Sequence, residues 1–221
     1  MLFDLRGRRR RAVQGTYLLL ALLMGGGLVF FGVGSDVSGG LFDVFGDRNS
    51  GSGNGNQAIE SRVERLEKRV AARPNDTAAL QALVRDYYGL ATTQQESGAS
   101  TFPDDAKDEL RRAGLAWQRY VARVEGNPSS NTATYALRVY EPNALNRPKE
   151  AQKAAAIIAE AENDSASYLQ LVGYASLAGD TRTADLATQK AVDLAPKGQK
   201  KAVKQNAEQL KKSQQQQPPS S

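Results

Sequence analysis

The sequence predicts an all-α protein: one N-terminal transmembrane helix, a flexible tether, and an antiparallel array of about three helix-turn-helix units. Three observations predict it. An uncharged apolar run, Thr16 to Gly34, follows a cluster of arginines. From Ala58 onward apolar residues recur at spacings of three and four, broken at short intervals by Pro, Gly and Asn-Asp pairs. No stretch alternates with period two, so no sheet is expected.

Composition excludes much chemistry. The 221 residues contain no cysteine and no histidine. That removes disulfides, thiolate nucleophiles and the usual structural zinc sites. It also removes imidazole acid–base catalysis and histidine-ligated metals. The net charge of +5 is unevenly placed. Residues 1–15 carry +4, residues 16–34 carry none, residues 35–57 and 58–196 carry −2 each, and residues 197–221 carry +5. The basic pI therefore describes the two ends, while the central region is slightly acidic.

Arg6, Arg8, Arg9, Arg10 and Arg11 precede the apolar run directly, and only Arg48 is positive in the tether that follows it. A run of about 20 apolar residues crosses a bilayer core as a helix, which satisfies its own backbone groups. The positive-inside rule places residues 1–15 in the cytoplasm and everything after the span outside it. Tyr17 suits an interface. A cleaved signal peptide also has a basic start, but this run is longer than the usual apolar region and no Ala-x-Ala follows it.

Residues 35–57 are rich in Gly, Ser, Asn and Asp and read as a tether. Leu41, Phe42, Val44 and Phe45 interrupt it, and their proximity to the span suits the outer headgroups. Asn49 to Gln57 has nothing to bury and reads as disordered. Ile59, Val63, Leu66 and Val70 then form one helical stripe over 58–74. Pro74-Asn75-Asp76 ends that helix, and Asp76 caps the next, which carries Leu80, Leu83, Val84, Tyr87 and Tyr88. An insertion around 95–106 leads to a third helix at Pro103, patterned by Leu110, Leu115, Trp117, Val121 and Val124 and stopped by Gly126-Asn127-Pro128. Further helices are predicted over 131–141, 148–162, 165–178 and 181–195, separated by Pro142, Asn163-Asp164 and Gly179-Asp180. Residues 199–221 read as a basic, Gln/Pro-rich and largely disordered tail, with a helix possible from 197 to 212.

The last helix pair carries the sharpest pattern. Counting Ser165 as the first position, Tyr168 stands at four, Leu171 at seven, Val172 at eight, Gly179 at fifteen, Ala184 at twenty, Ala191 at twenty-seven and Pro196 at thirty-two. Large apolar residues would bury the first helix against the second, Gly179 would permit a positive φ or a tight approach, and the alanines would allow close crossing. The pattern resembles the tetratricopeptide repeat. It departs from it at Ala175 and Thr188, where bulkier residues are usual. Looser matches at Leu80, Leu83, Tyr87, Ala116 and Tyr120, and at Ala151, Ala155 and Ile158, suggest three units within a domain over 58–198.

No constellation points to catalysis. Asp104, Asp105, Asp108 and Glu109 cluster at a helix start, where carboxylates favour the helix dipole, and Lys107 interleaves them. Gly51 to Gly55 follows no strand and lacks a Gly-Lys-Ser/Thr end, so it reads as linker. No enzyme activity, cofactor or metal is expected. The resemblance implies a groove, formed by the first helices of each unit, that holds a protein partner. Arg85, Tyr88, Arg138 and Gln170 are the candidate groove residues. Lys197, Lys200, Lys201 and Lys204 would suit an anionic lipid or wall polymer outside the membrane, and nucleic acid is not an expected partner there. The layout resembles bacterial-type membrane-anchored tetratricopeptide proteins that assist envelope assembly or secretion. Two other readings stand beside it: a self-associating scaffold joined through 58–74, and a regulatory subunit of a membrane enzyme contacted by Arg6–Arg11.

Overall fold

The computed structural model describes residues 53–95 and 98–215. They form eight helices and no strand: α1 (Gly53–Ala72), α2 (Thr77–Thr93), α3 (Asp104–Val121), α4 (Ser130–Tyr140), α5 (Pro148–Glu162), α6 (Ser165–Leu177), α7 (Thr181–Leu194) and α8 (Lys200–Gln215). The predicted span, the arginine cluster and most of the tether lie outside the described residues. Among those described, no helix is long and apolar enough to cross a membrane.

Local chemistry explains most boundaries. Asp76 accepts from the Ala79 amide at 2.9 Å, Asp164 from Ser167 at 2.8 Å and Asp180 from Thr183 at 3.0 Å. Each fills an amide that a helix start leaves open. Pro148 opens α5, where no amide is needed. Asn163 ends α5 in the left-handed conformation, φ 48°. Gly179 has φ +74° and nothing within 4 Å of where a Cβ would stand. Positive φ, rather than crowding, is therefore what calls for glycine there.

Consecutive helices pair as α2 with α3, α4 with α5 and α6 with α7, with α1 laid on α2 and α8 laid across α6 and α7. The connections within these pairs span 94–103, 141–147 and 178–180, the last a tight turn. Alanines form the seams: Ala151, Ala154, Ala155 and Ala159 on α5, and Ala184, Ala187 and Ala191 on α7, are all buried. Small side chains there let the helix axes approach closely. Leu171 and Val172 are buried and Tyr168 half-buried. Thr188 is buried too, and its hydroxyl donates to the Ala184 carbonyl at 2.8 Å. That bond removes the cost of burying a polar group in an apolar seam.

Four expectations require correction. First, α1 begins at Gly53, so the predicted tether and its disordered stretch lose their last five residues to a helix. Second, the tail is not disordered over 200–215. Val203, Ala207 and Leu210 form a stripe at spacings of four and three, and Ala207 is fully buried. The domain therefore extends past 198 to include α8. Third, α3 ends at Val121, ahead of the predicted stop at Gly126. Fourth, Leu115 and Val121 are exposed, Leu115 by 60%. Their helix turns its buried face through Leu110, Ala113, Ala116, Trp117 and Tyr120 instead.

Tyrosines tie neighbouring pairs together. The Tyr140 hydroxyl on α4 donates to the Gly114 carbonyl on α3 at 3.2 Å. A Cβ at Gly114 would stand 3.0 Å from that hydroxyl oxygen and 3.3 Å from the ring. Gly114→Ala is therefore expected to destabilise by about 1 kcal/mol, overpacking outweighing alanine's helix preference. Urea titration would check this. The cost should shrink in a Tyr140→Phe background, which lacks the nearest atom.

Candidate binding cleft

A cleft of about 490 Å³ opens between α6, the α4–α5 turn and α8. Leu169, Gln170, Gly173, Tyr174 and Leu177 form its α6 wall. Asn206 and Leu210 face it from α8, and Glu141, Pro142 and Asn143 from the turn. Tyr174 spans the space between units by donating to the Glu141 carboxylate at 2.9 Å. Burial, together with that carboxylate, pushes the Tyr174 hydroxyl pKa well up, so it stays a donor. Amide and carboxylate groups thus sit beside leucines in an open depression, a mixture suited to a peptide side chain and its backbone.

The candidate groove residues do not converge. Gln170 is exposed and lines this cleft. Arg138 is exposed on α4. Tyr88 is half-buried and packs against Phe102 and Tyr135, with ring centroids 6.3 and 5.9 Å away. Phe102 belongs to the insertion, and its amide donates to the Asn143 carbonyl at 3.2 Å. The insertion therefore occupies the ground beside Tyr88. Arg85 is turned to Asp86, its Nε 2.9 Å from Oδ1.

Asp86 is the residue that sequence reasoning missed. Its side chain is fully buried, and Arg62 on α1 grips both carboxylate oxygens. A signal was present: Leu83, Asp86 and Leu90 share one helical face, so an acid stood at a core position.

No family model, curated protein or solved structure matches this chain.

Among the described residues no group of His, Cys, Asp or Glu side chains is arranged to hold a metal ion. The acidic residues at the start of α3 pair locally, Asp104 with Lys107 at 2.8 Å and Asp108 with Arg111. Lys197, Lys201 and Lys204 are exposed and Lys200 half-buried at the start of α8. Lys211 instead bridges Asp185 at 3.0 Å and Glu208 at 2.7 Å, fastening α8 to α7.

Asp180 joins two units, since it also accepts from Gln152 of α5 at 2.6 Å. The Thr183 amide and hydroxyl, then Gln152, hold its carboxyl down to about 2. A depressed acid contributes stability above its unfolded value, near 3.8, and loses it as pH falls through the folded value. Asp180→Ala is expected to lower the melting temperature at pH 7, with the deficit narrowing between pH 4 and about 2. Thermal melts across that range would show it.

Proposed function

We propose that the chain is a membrane-anchored, tetratricopeptide-like binding module, held by residues 16–34 with its helical domain outside the cytoplasm. It has no catalytic role. The observation that carries the reading is the α6–α7 pair. Gly179 adopts positive φ between two helices whose seam is Leu171, Val172, Ala184 and Ala191, and the exposed side of α6 lines the cleft. The preceding pairs and the closing helix α8 fit a short stacked array, in which terminal helices cover the ends of the core. The cleft holds a segment of a partner protein, and the anchor raises the local concentration of both. The stripe that a scaffold would need on 58–74 is already used, because Val63 and Val70 are buried in the domain core.

A photoreactive amino acid placed at Gln170 in cells should capture one discrete partner. The same group at Asp193, exposed on α7, should not. Equal labelling from both positions would sink the reading of the cleft. A reporter fused after Ser221 that proved cytoplasmic would sink the orientation.

A further inference from the structure

A second surface lies at the other end of the domain, away from the cleft. Helices α1 and α3 both pack on α2 and leave a groove of about 320 Å³ between them. Val70, Leu83, Tyr87 and Ala116 make its floor, all nearly inaccessible side chains. Leu115 rises from the α3 wall with 60% of its surface exposed. Covering that surface on association would remove apolar area from water and so favour binding.

Two cations flank that leucine. Arg112 stands three residues before it and Arg119 four after, so all three lie on one face of α3, with the arginines about 10 Å apart. Both arginines are exposed and both line the groove. Among the described residues no carboxylate lies within ion-pair distance of Arg119, and Arg112 reaches Glu109 only at 3.9 Å. The opposite wall offers one acid, Glu67, whose carboxylate already accepts from the Tyr87 hydroxyl. Glu67 is exposed and keeps its charge on the α1 wall, so the lining carries two cations and one anion, and both cations stand on the α3 wall beside Leu115.

We infer that the α1–α3 groove docks an acidic amphipathic helix of a partner protein. The occupant carries an apolar residue that meets Leu115 and the floor, and carboxylates two turns apart that meet Arg112 and Arg119. Its helical form follows from the host: the floor is set by Leu83 and Tyr87, four residues apart on α2, between two helical ridges. The described residues contain no strand, hence no sheet edge to which an extended segment could add. A flat lipid surface would meet the rims of the groove and leave its floor uncovered. This surface is independent of the cleft on α6, and either can fail without the other.

The test uses the full-length chain in neutral-lipid nanodiscs and two synthetic helical peptides with the same leucine stripe. One has glutamates flanking the stripe and its twin has lysines. Fluorescence anisotropy should show the glutamate peptide binding, with affinity falling as salt rises. Leu115→Ala and the double change Arg112→Gln with Arg119→Gln should each weaken it about tenfold. These side chains are exposed, so unchanged thermal melts should accompany the loss. Lys190→Gln, which removes an exposed cation from α7 outside both clefts, should leave binding as it was. Equal binding of the two peptides, or retention of full affinity in the arginine variant, overturns the proposal. So does a variant-sensitive association with phosphatidylserine vesicles while neither peptide binds, which would make the face a lipid surface.

Discussion

Arg62→Met is expected to destabilise the helical domain by about 3 kcal/mol, more than Asp86→Ala does. The reason is an asymmetry in exposure. The Asp86 side chain is wholly buried, whereas the side chains of Arg62 and Arg85 are 33% and 39% exposed. Removing the carboxylate leaves two guanidinium groups that water can reach. Removing Arg62 leaves a buried anion with Arg85 as its remaining ion-pair partner, and its Oδ2 loses the Arg62 Nε. A buried charge stripped of a partner is costly, while removing both partners is far less so. The double variant Arg62→Met with Asp86→Leu should therefore recover most of the loss. Urea denaturation of the three variants would check the order. Arg62 also links α1 to α2, so the single variant should show early loss of α1 by hydrogen exchange. If Asp86→Ala proved the costlier change, the burial argument would be wrong.

Tyr120→Ala should cost about 4 kcal/mol, and Tyr120→Phe about 1 kcal/mol. The ring is buried and packs beside Trp117, with centroids 5.6 Å apart. Its loss leaves a cavity in the seam of the first pair. The hydroxyl acts across units: it accepts from Gln81 on α2 at 2.7 Å and from the Ser129 amide at 2.9 Å. Ser129 is the residue that caps α4. The phenylalanine variant should therefore loosen the start of α4 while leaving the first pair packed. Chemical denaturation gives the magnitudes, and amide exchange at α4 tests the coupling. Equal costs for the two variants would mean that the hydroxyl, not the ring, dominates.

Most helices are legible in the sequence. The predicted segments 131–141, 148–162, 165–178 and 181–195 match α4 to α7 within a residue at each end. Their stops and starts are made by Asp, Asn, Gly and Pro acting on adjacent backbone, and such chemistry is written within a few residues. The tail was harder. Its lysines dominate the composition of α8, and the stripe of Val203, Ala207 and Leu210 is short and weakly apolar. Only the surface of α6 and α7 makes that stripe worth burying. The groove candidates scattered for a related reason. Arg85 and Tyr88 sit on the predicted helix, but Arg85 turns to its neighbour Asp86 and an insertion from further along the chain packs on Tyr88.

The sequence alone determined that the described region is helical and where α4 to α7 start and stop. Caps, breakers and 3.6-residue periodicity act over one or two turns, so a linear reading reaches them. The tertiary structure decided which faces remain open. A slip of one residue turns a helical face by about 100°, and burial depends on partners far away in sequence. Asp86 became a buried ion-pair centre because α1 brings Arg62 to it. Leu115 stays exposed because the wall opposite it is α1, across a gap that no described residue fills.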